Sequence, residues 1–254
     1  SSGAPPGSRS PAAAEPAAVL EIGAYCGYSA LQLAIAVPGV RVVSLEVDAA
    51  HMLIARNVIA FAGLGGDLDV LTGHSRDLLP RLAHRYRGPG SSAAFSAVFM
   101  DQRGSLYHRD LAALEAHGLL RLPGAVVVAD NVLKPGAPLF LRRTSADSGK
   151  YESQVVTVRE FAMRGVVEDW MSVVVALRSA GLPAGGGSDD REEEEEEDPE
   201  PELLQLDREA DRMRERAIAP GKGVDFGEWA AFVEDARLRL EELGIWETAE
   251  SAEL

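Results

Sequence analysis

The chain has 254 residues, 46% of them hydrophobic, one cysteine (Cys26) and a formal net charge of −15. That is enough apolar chain for one full α/β core, and a single thiol excludes an intrachain disulfide and points to a reducing, cytoplasmic compartment. No apolar run approaches the ~20 residues needed to cross a bilayer, so no membrane span is expected; without a basic, aromatic-studded surface, no nucleic-acid partner is expected either.

The acidity is unevenly spread. Residues 183–254 hold 24 acidic and 8 basic side chains, which leaves 16 acidic and 17 basic ones for residues 1–182. The chain therefore divides into a Ser/Pro/Gly/Ala tail over 1–17, a nearly neutral core over 18–180, an acidic linker over 181–202 and a helical segment over 203–254. Tail and linker lack the apolar bulk to order themselves, and the linker's carboxylate run repels itself, so both are expected to be disordered. The tail has no charged start followed by a long apolar stretch and does not read as a signal peptide.

Within the core, VLEIGAYCGYSALQLA (19–34) is an apolar strand that breaks at Glu21 and two glycines and resumes as an amphipathic helix. Gly23 and Gly27 let the backbone turn sharply beside a ligand, and the helix start offers unpaired N–H groups to it. A second buried strand, VRVVSLEVD (40–48), ends at Glu46, roughly twenty residues past the glycines, where a carboxylate can accept both hydroxyls of a ribose. Tyr25 stands where G-x-G-x-x-G needs its middle glycine. An adenosyl sulfonium with an amino-acid tail therefore fits better than a dinucleotide, with Glu21 to hold the tail's ammonium.

Further strands are expected near 68–72, 95–100 and 124–129, and helices near 27–36, 48–63, 76–87 and 106–119, with Asp48 as an N-cap. This alternation predicts an α/β fold with a doubly wound, mostly parallel sheet of Rossmann type. The strands end on Asp101 and on Asp130–Asn131. In such a sheet these oxygens converge outside the carboxyl ends, and two carboxylates with an amide carbonyl suit Mg²⁺. The alternative is that both aspartates only cap loops. Cys26 reads as a packing residue.

VLEIGAYCGYSA, SLEVD, GHSRDLLP, FMD, EAHGLLR, VVVADNVLKPGAP and VREF stand in an order and spacing that resemble the catechol O-methyltransferase family, over roughly residues 18–178. The resemblance implies that Glu21, Gly23, Ala24, Tyr25, Ser29, Glu46, Ser75, Arg76, Asp101 and Gln102 contact S-adenosyl-L-methionine. It likewise implies Mg²⁺ on Asp101, Asp130 and Asn131, and a catechol or other phenolic substrate whose second hydroxyl meets Glu160. SQVVTVREF and WMSVVVALR, after a short helix near 137–143, would form the antiparallel strand pair that closes the sheet.

Two departures stand out. The family reads His-Trp-Lys after the first metal aspartate, with the lysine as general base, whereas positions 102–104 are Gln-Arg-Gly. Candidates for a substitute base are His108, which also reads as an ordinary exposed helix residue, and bulk water, and Arg103 is a candidate clamp for an anionic substrate. The family also places several covering helices before its first strand, where only SSGAPPGSRSPAAAEPAA stands here. Either the cover comes from elsewhere, such as the C-terminal segment, or the chain is a fragment or has lost activity and binds cofactor as a scaffold. That C-terminal segment reads as helices over 203–219 and 226–246. The second carries a long apolar stripe that calls for packing on the core, on another copy or on a protein partner.

Overall fold

The computed structural model describes residues 18–86, 95–146, 149–159, 167–177, 198–221 and 223–246. The N-terminal tail, most of the acidic linker and Glu160 lie outside these residues. In chain order the elements are β1 (Ala18–Ile22), α1 (Tyr28–Ala36), β2 (Arg41–Glu46), α2 (Ala49–Phe61), β3 (Leu68–Thr72), α3 (Ser75–Tyr86), β4 (Ala97–Met100), α4 (Tyr107–Ala116) and β5 (Ala125–Ala129). They continue with α5 (Pro138–Ala146), β6 (Tyr151–Arg159), β7 (Glu168–Ala176), α6 (Pro201–Ile218) and α7 (Phe226–Glu242).

The strands form one seven-stranded sheet in the order β3-β2-β1-β4-β5-β7-β6. The first five are parallel, and β7 runs antiparallel to both β5 and β6. The strand order therefore reverses between β1 and β4, where an open α/β sheet leaves a crevice at its carboxyl edge. β1 is buried along its whole length, as a central parallel strand covered on both faces must be.

Asp48 caps α2 as expected, accepting the N–H groups of Ala50 and His51 at 2.7 and 3.1 Å. α4 begins only at Tyr107, after a single 3₁₀ turn over Gly104–Leu106. The fourth strand is shorter than its apolar run, since Phe95 makes only an isolated bridge to Leu120.

One face of the sheet is covered by α1 and α2 through small residues such as Ala30, Ala34 and Ala55. The other carries α3, α4 and α5, and α6 and α7 pack against α5, the turns at 104–106 and 132–136 and β7, in one continuous core. The apolar stripe of α7 is thus spent within this chain: Trp229, Val233, Ala236 and Leu240 are buried against that core. An Asp225–Glu228 capping box starts the helix, and beyond its end Trp246 packs on Trp170 with ring centroids 4.8 Å apart.

The packing of α6 traps one carboxylate. Burial, then the neighbouring Asp211, push Asp207 up to about 6, and its Oδ1 is buried without a hydrogen-bond partner. A carboxyl whose pKa is raised by folding favours the folded state at low pH and loses that contribution as pH climbs through the folded value. Asp207→Asn should therefore raise stability by about 1 kcal/mol at pH 8, after discounting for partial exposure. The gain should shrink toward nothing near pH 4, which thermal melts at the two pH values would read directly.

Candidate active site

The parallel ladder runs one residue past the strands and pins the loops that carry the polar groups. Asp101 N–H donates to Ile22 at 2.9 Å, Asp130 N–H to Met100 at 2.9 Å, and Gly23 and Ala24 N–H both to Leu45 at 2.9 and 3.0 Å. Gly23 has φ 112°, and a Cβ there would overlap the carbonyl of Asp101. Only glycine lets the first loop pass this close to the end of β4. Tyr25 also takes positive φ, at 46°, and α1 starts behind Gly27 with no side-chain cap, so its first N–H groups face the crevice.

Glu21 is wholly buried. The Ser44 hydroxyl donates to its Oε2, while Oε1 completes no hydrogen bond of ordinary geometry. Burial raises its pKa, the Ser29 and Ser44 hydroxyls offset part of that, and Glu46 adds to it. An incompletely satisfied buried carboxylate is a receptor for a cationic donor. Glu46 accepts N–H groups from Tyr25 at 2.7 Å and Asp48 at 2.8 Å, which fixes its orientation and leaves lone pairs for a diol.

Ser75 and Gln102 are joined by a residue the motif reading missed. Asp110, buried in α4, accepts from Gln102 Nε2 at 2.6 Å and is hydrogen-bonded to Ser75. Its signal was its place in the stripe Tyr107, Asp110, Leu111, Leu114, whose three- and four-residue steps face the core. Gln102 Oε1 is buried and unsatisfied. Arg76 is not drawn into this group: its side chain is 79% exposed and lies 3.8 Å from Asp77.

At the metal-type cluster, burial first and then the Asp130 and Glu21 carboxylates push Asp101 up to about 7. Asn131, at φ 56°, donates its Nδ2 to Asp169 at 2.8 Å, which directs the amide's remaining atom, its oxygen, away from that carboxylate. Asp169 was also missed. It is fully buried and takes N–H groups from Lys134 at 2.8 Å and Trp170 at 2.7 Å. Among the described residues no three His, Cys, Asp or Glu side chains are spaced to hold a metal; the expected set depends on an asparagine as its third member. Crowded carboxylates plus an oriented amide oxygen nevertheless fit a hard divalent cation.

The structure corrects the expectation about the clamp and places a tyrosine beside the metal-type carboxylates. Tyr107 is the α4 residue that faces the carboxylates: its hydroxyl lies 3.1 Å from the Asp130 carbonyl, and burial with Asp101, Asp130 and Asp169 holds it protonated. His108, the next residue, is turned ~100° round the helix from it. Arg103 is no free clamp. Its guanidinium makes a paired bond to Asp211 of α6 at 2.7 and 2.6 Å, with Ser105 on the same carboxylate at 2.9 Å.

A cavity of about 200 Å³ lies between this edge and the C-terminal helices. Gln102, Tyr107 and Asn131 line one side, and Arg214, Ile218 and Trp229 the other. Gly104 is also in its wall, and a Cβ there would overlap the carbonyl of Gly136 and come within 3.2 Å of Ala137.

A sequence model of the O-methyltransferase family matches residues 13–163, more than half of the chain. The chain belongs to this O-methyltransferase family. It is 38% identical over 135 residues to the catechol O-methyltransferase of Bos taurus, covering 53% of this chain and 48% of that one. It is 41% identical over 142 residues to the transmembrane O-methyltransferase homolog of Mus musculus, covering 55% and 53%. An O-methyltransferase from Bacillus cereus, solved in complex with SAH, superposes with a TM-score of 0.51 at 26% identity, covering 63% of this chain and 73% of that one. The chain spans about half the length of the cattle and mouse relatives. Among the described residues no helix is long and apolar enough to cross a membrane.

Proposed function

We propose that this O-methyltransferase carries a methyl group from S-adenosyl-L-methionine to a hydroxyl of a catechol-like phenol in the presence of Mg²⁺. The observation that carries the reading is the meeting of Glu21, Glu46, Asp101 and Asp130 at the carboxyl edge where the strand order reverses. Glu21 receives the ammonium of the methionine tail and Glu46 the ribose diol. Ser75 and Gln102, held by Asp110, border the adenine, and Ala24 and Tyr25 supply backbone. Asp101, Asp130 and Asn131 would hold Mg²⁺, whose Lewis acidity favours the ionised form of a phenol.

Methyl transfer by direct displacement needs alignment rather than a covalent enzyme intermediate, and the walls of the cavity provide surfaces for that alignment. Since Gly104 offers no base and Tyr107 stays protonated, the phenol's own ionisation sets the rate, and turnover should rise toward alkaline pH. A second reading, a cofactor-binding protein without turnover, is favoured by the same Gly104.

Calorimetry with S-adenosyl-L-methionine, followed by methyl transfer to catechol with Mg²⁺ and after chelation by EDTA, separates these. Metal-dependent turnover supports the enzyme; binding without turnover supports the scaffold; absence of binding refutes both. Replacing the buried acceptor should be felt at once in this assay. Glu21→Gln removes the charge that meets the ammonium, and affinity for S-adenosyl-L-methionine should fall about 10- to 100-fold, the size of a lost charge-assisted hydrogen bond.

A further inference from the structure

Helices α6 and α7 lie beyond residues 13–163, the part matched by the family model, yet they build one wall of the cavity. Trp229 is 5% exposed there, with Lys134 Nζ 5.4 Å from its ring centroid and Phe232 at 6.1 Å, so its ring is a fixed surface. Arg214 is the one charged residue among those lining the cavity. The arginines on either side of it in α6 are engaged: Arg212 lies 3.8 Å from Glu209 and Arg216 2.5 Å from Glu228. Asp211, the acid that feels the charge of Arg214, is already bound by Arg103 and Ser105. Half-buried Arg214 thus brings a charge into the cavity wall with no carboxylate within salt-bridge distance among the described residues.

A partly desolvated guanidinium that is the one charged group among the lining residues favours an anionic group on the ligand. The volume, below the ~300–1,000 Å³ of pockets for drug-sized ligands, suits a single ring with a short side chain. We propose that the substrate is a phenol bearing a carboxylate, with the ring against Trp229 and the carboxylate on Arg214, so that the C-terminal helices select the substrate class. This rests on the methyltransferase reading for what happens next, but the binding preference stands or falls by itself.

The test compares 3,4-dihydroxyphenylacetate, its amide and 3,4-dihydroxyphenethylamine, by calorimetry on the full chain with S-adenosylhomocysteine and Mg²⁺, and by kcat/KM with S-adenosyl-L-methionine. The carboxylate should bind at least tenfold more tightly than the amide, with the amine weakest. Arg214→Gln should cut the carboxylate-to-amide ratio about tenfold, and Arg214→Lys should keep part of it. Equal binding of the three compounds, an unchanged ratio in Arg214→Gln, or no binding at all would overturn the proposal. A carboxylate preference that depends on Arg214 but comes without turnover would uphold it and remove the methyltransferase reading instead.

Discussion

Putting back the lysine of the resembled family at position 104 is expected to reduce activity rather than restore a base. The backbone of Gly104 lies against the carbonyl of Gly136 and Ala137, and any Cβ overlaps that carbonyl. The neighbour is main chain on a turn held by the Gly136 and Ala137 N–H groups, which donate to Asn131 at 3.2 Å and Val132 at 2.9 Å, so it cannot swing aside as a side chain would. Gly104→Ala should cost about 1–3 kcal/mol, the range for forcing extra volume into a packed site, and Gly104→Lys at least as much. Because the strain falls on the turn that carries Asn131, kcat/KM should drop at least tenfold for both. Thermal melts and methyl-transfer rates for the two variants would check it; a Gly104→Lys protein that is stable and faster would show that the loop has a second path with room for a base.

The sheet was legible because each buried strand is a short apolar run closed by a polar residue, and the parallel register then leaves those residues little choice. Glu21, Glu46, Asp101 and Asp130 all fall where the strand ends put them. Helix starts were legible both where a side chain caps them, as at Asp48, and where a 3₁₀ turn precedes the helix, as before Tyr107, each within one residue. What the sequence concealed are contacts between distant segments. Arg103 and Asp211 are 108 residues apart, and nothing local distinguishes an arginine that clamps a substrate from one that latches a helix. Asp169 was hidden for a related reason: it precedes the apolar run WMSVVVALR, whereas it belongs to β7 and anchors both Asn131 and Lys134. Asp110 had a local signal, an acid within an apolar helical stripe, which marks a buried carboxylate in need of partners.

The C-terminal helices give the largest expected effect. Trp229 stands at the start of α7 and meets three different things: the cavity, the Lys134 ammonium and Phe232. Truncating a buried tryptophan costs about 3–5 kcal/mol, and here the loss is concentrated on one element, since the other aromatic anchor of this segment, Trp246 on Trp170, lies at the far end. Trp229→Ala should therefore loosen α7 and open the cavity before the sheet unfolds. Amide hydrogen exchange would show lost protection in α7, and in α6 if the Arg103–Asp211 latch cannot hold that helix alone, while β1, β4 and β5 keep theirs. The affinity for S-adenosyl-L-methionine should change little, because Glu21 and Glu46 lie on the sheet edge, whereas kcat/KM for the phenol should fall at least 100-fold with one cavity wall gone. Trp229→Phe, which keeps a ring on the wall, should retain most of the protection. Unchanged exchange in α7 of Trp229→Ala would mean that the helix is held by its Val233, Ala236 and Leu240 stripe and that the cavity wall survives without its tryptophan.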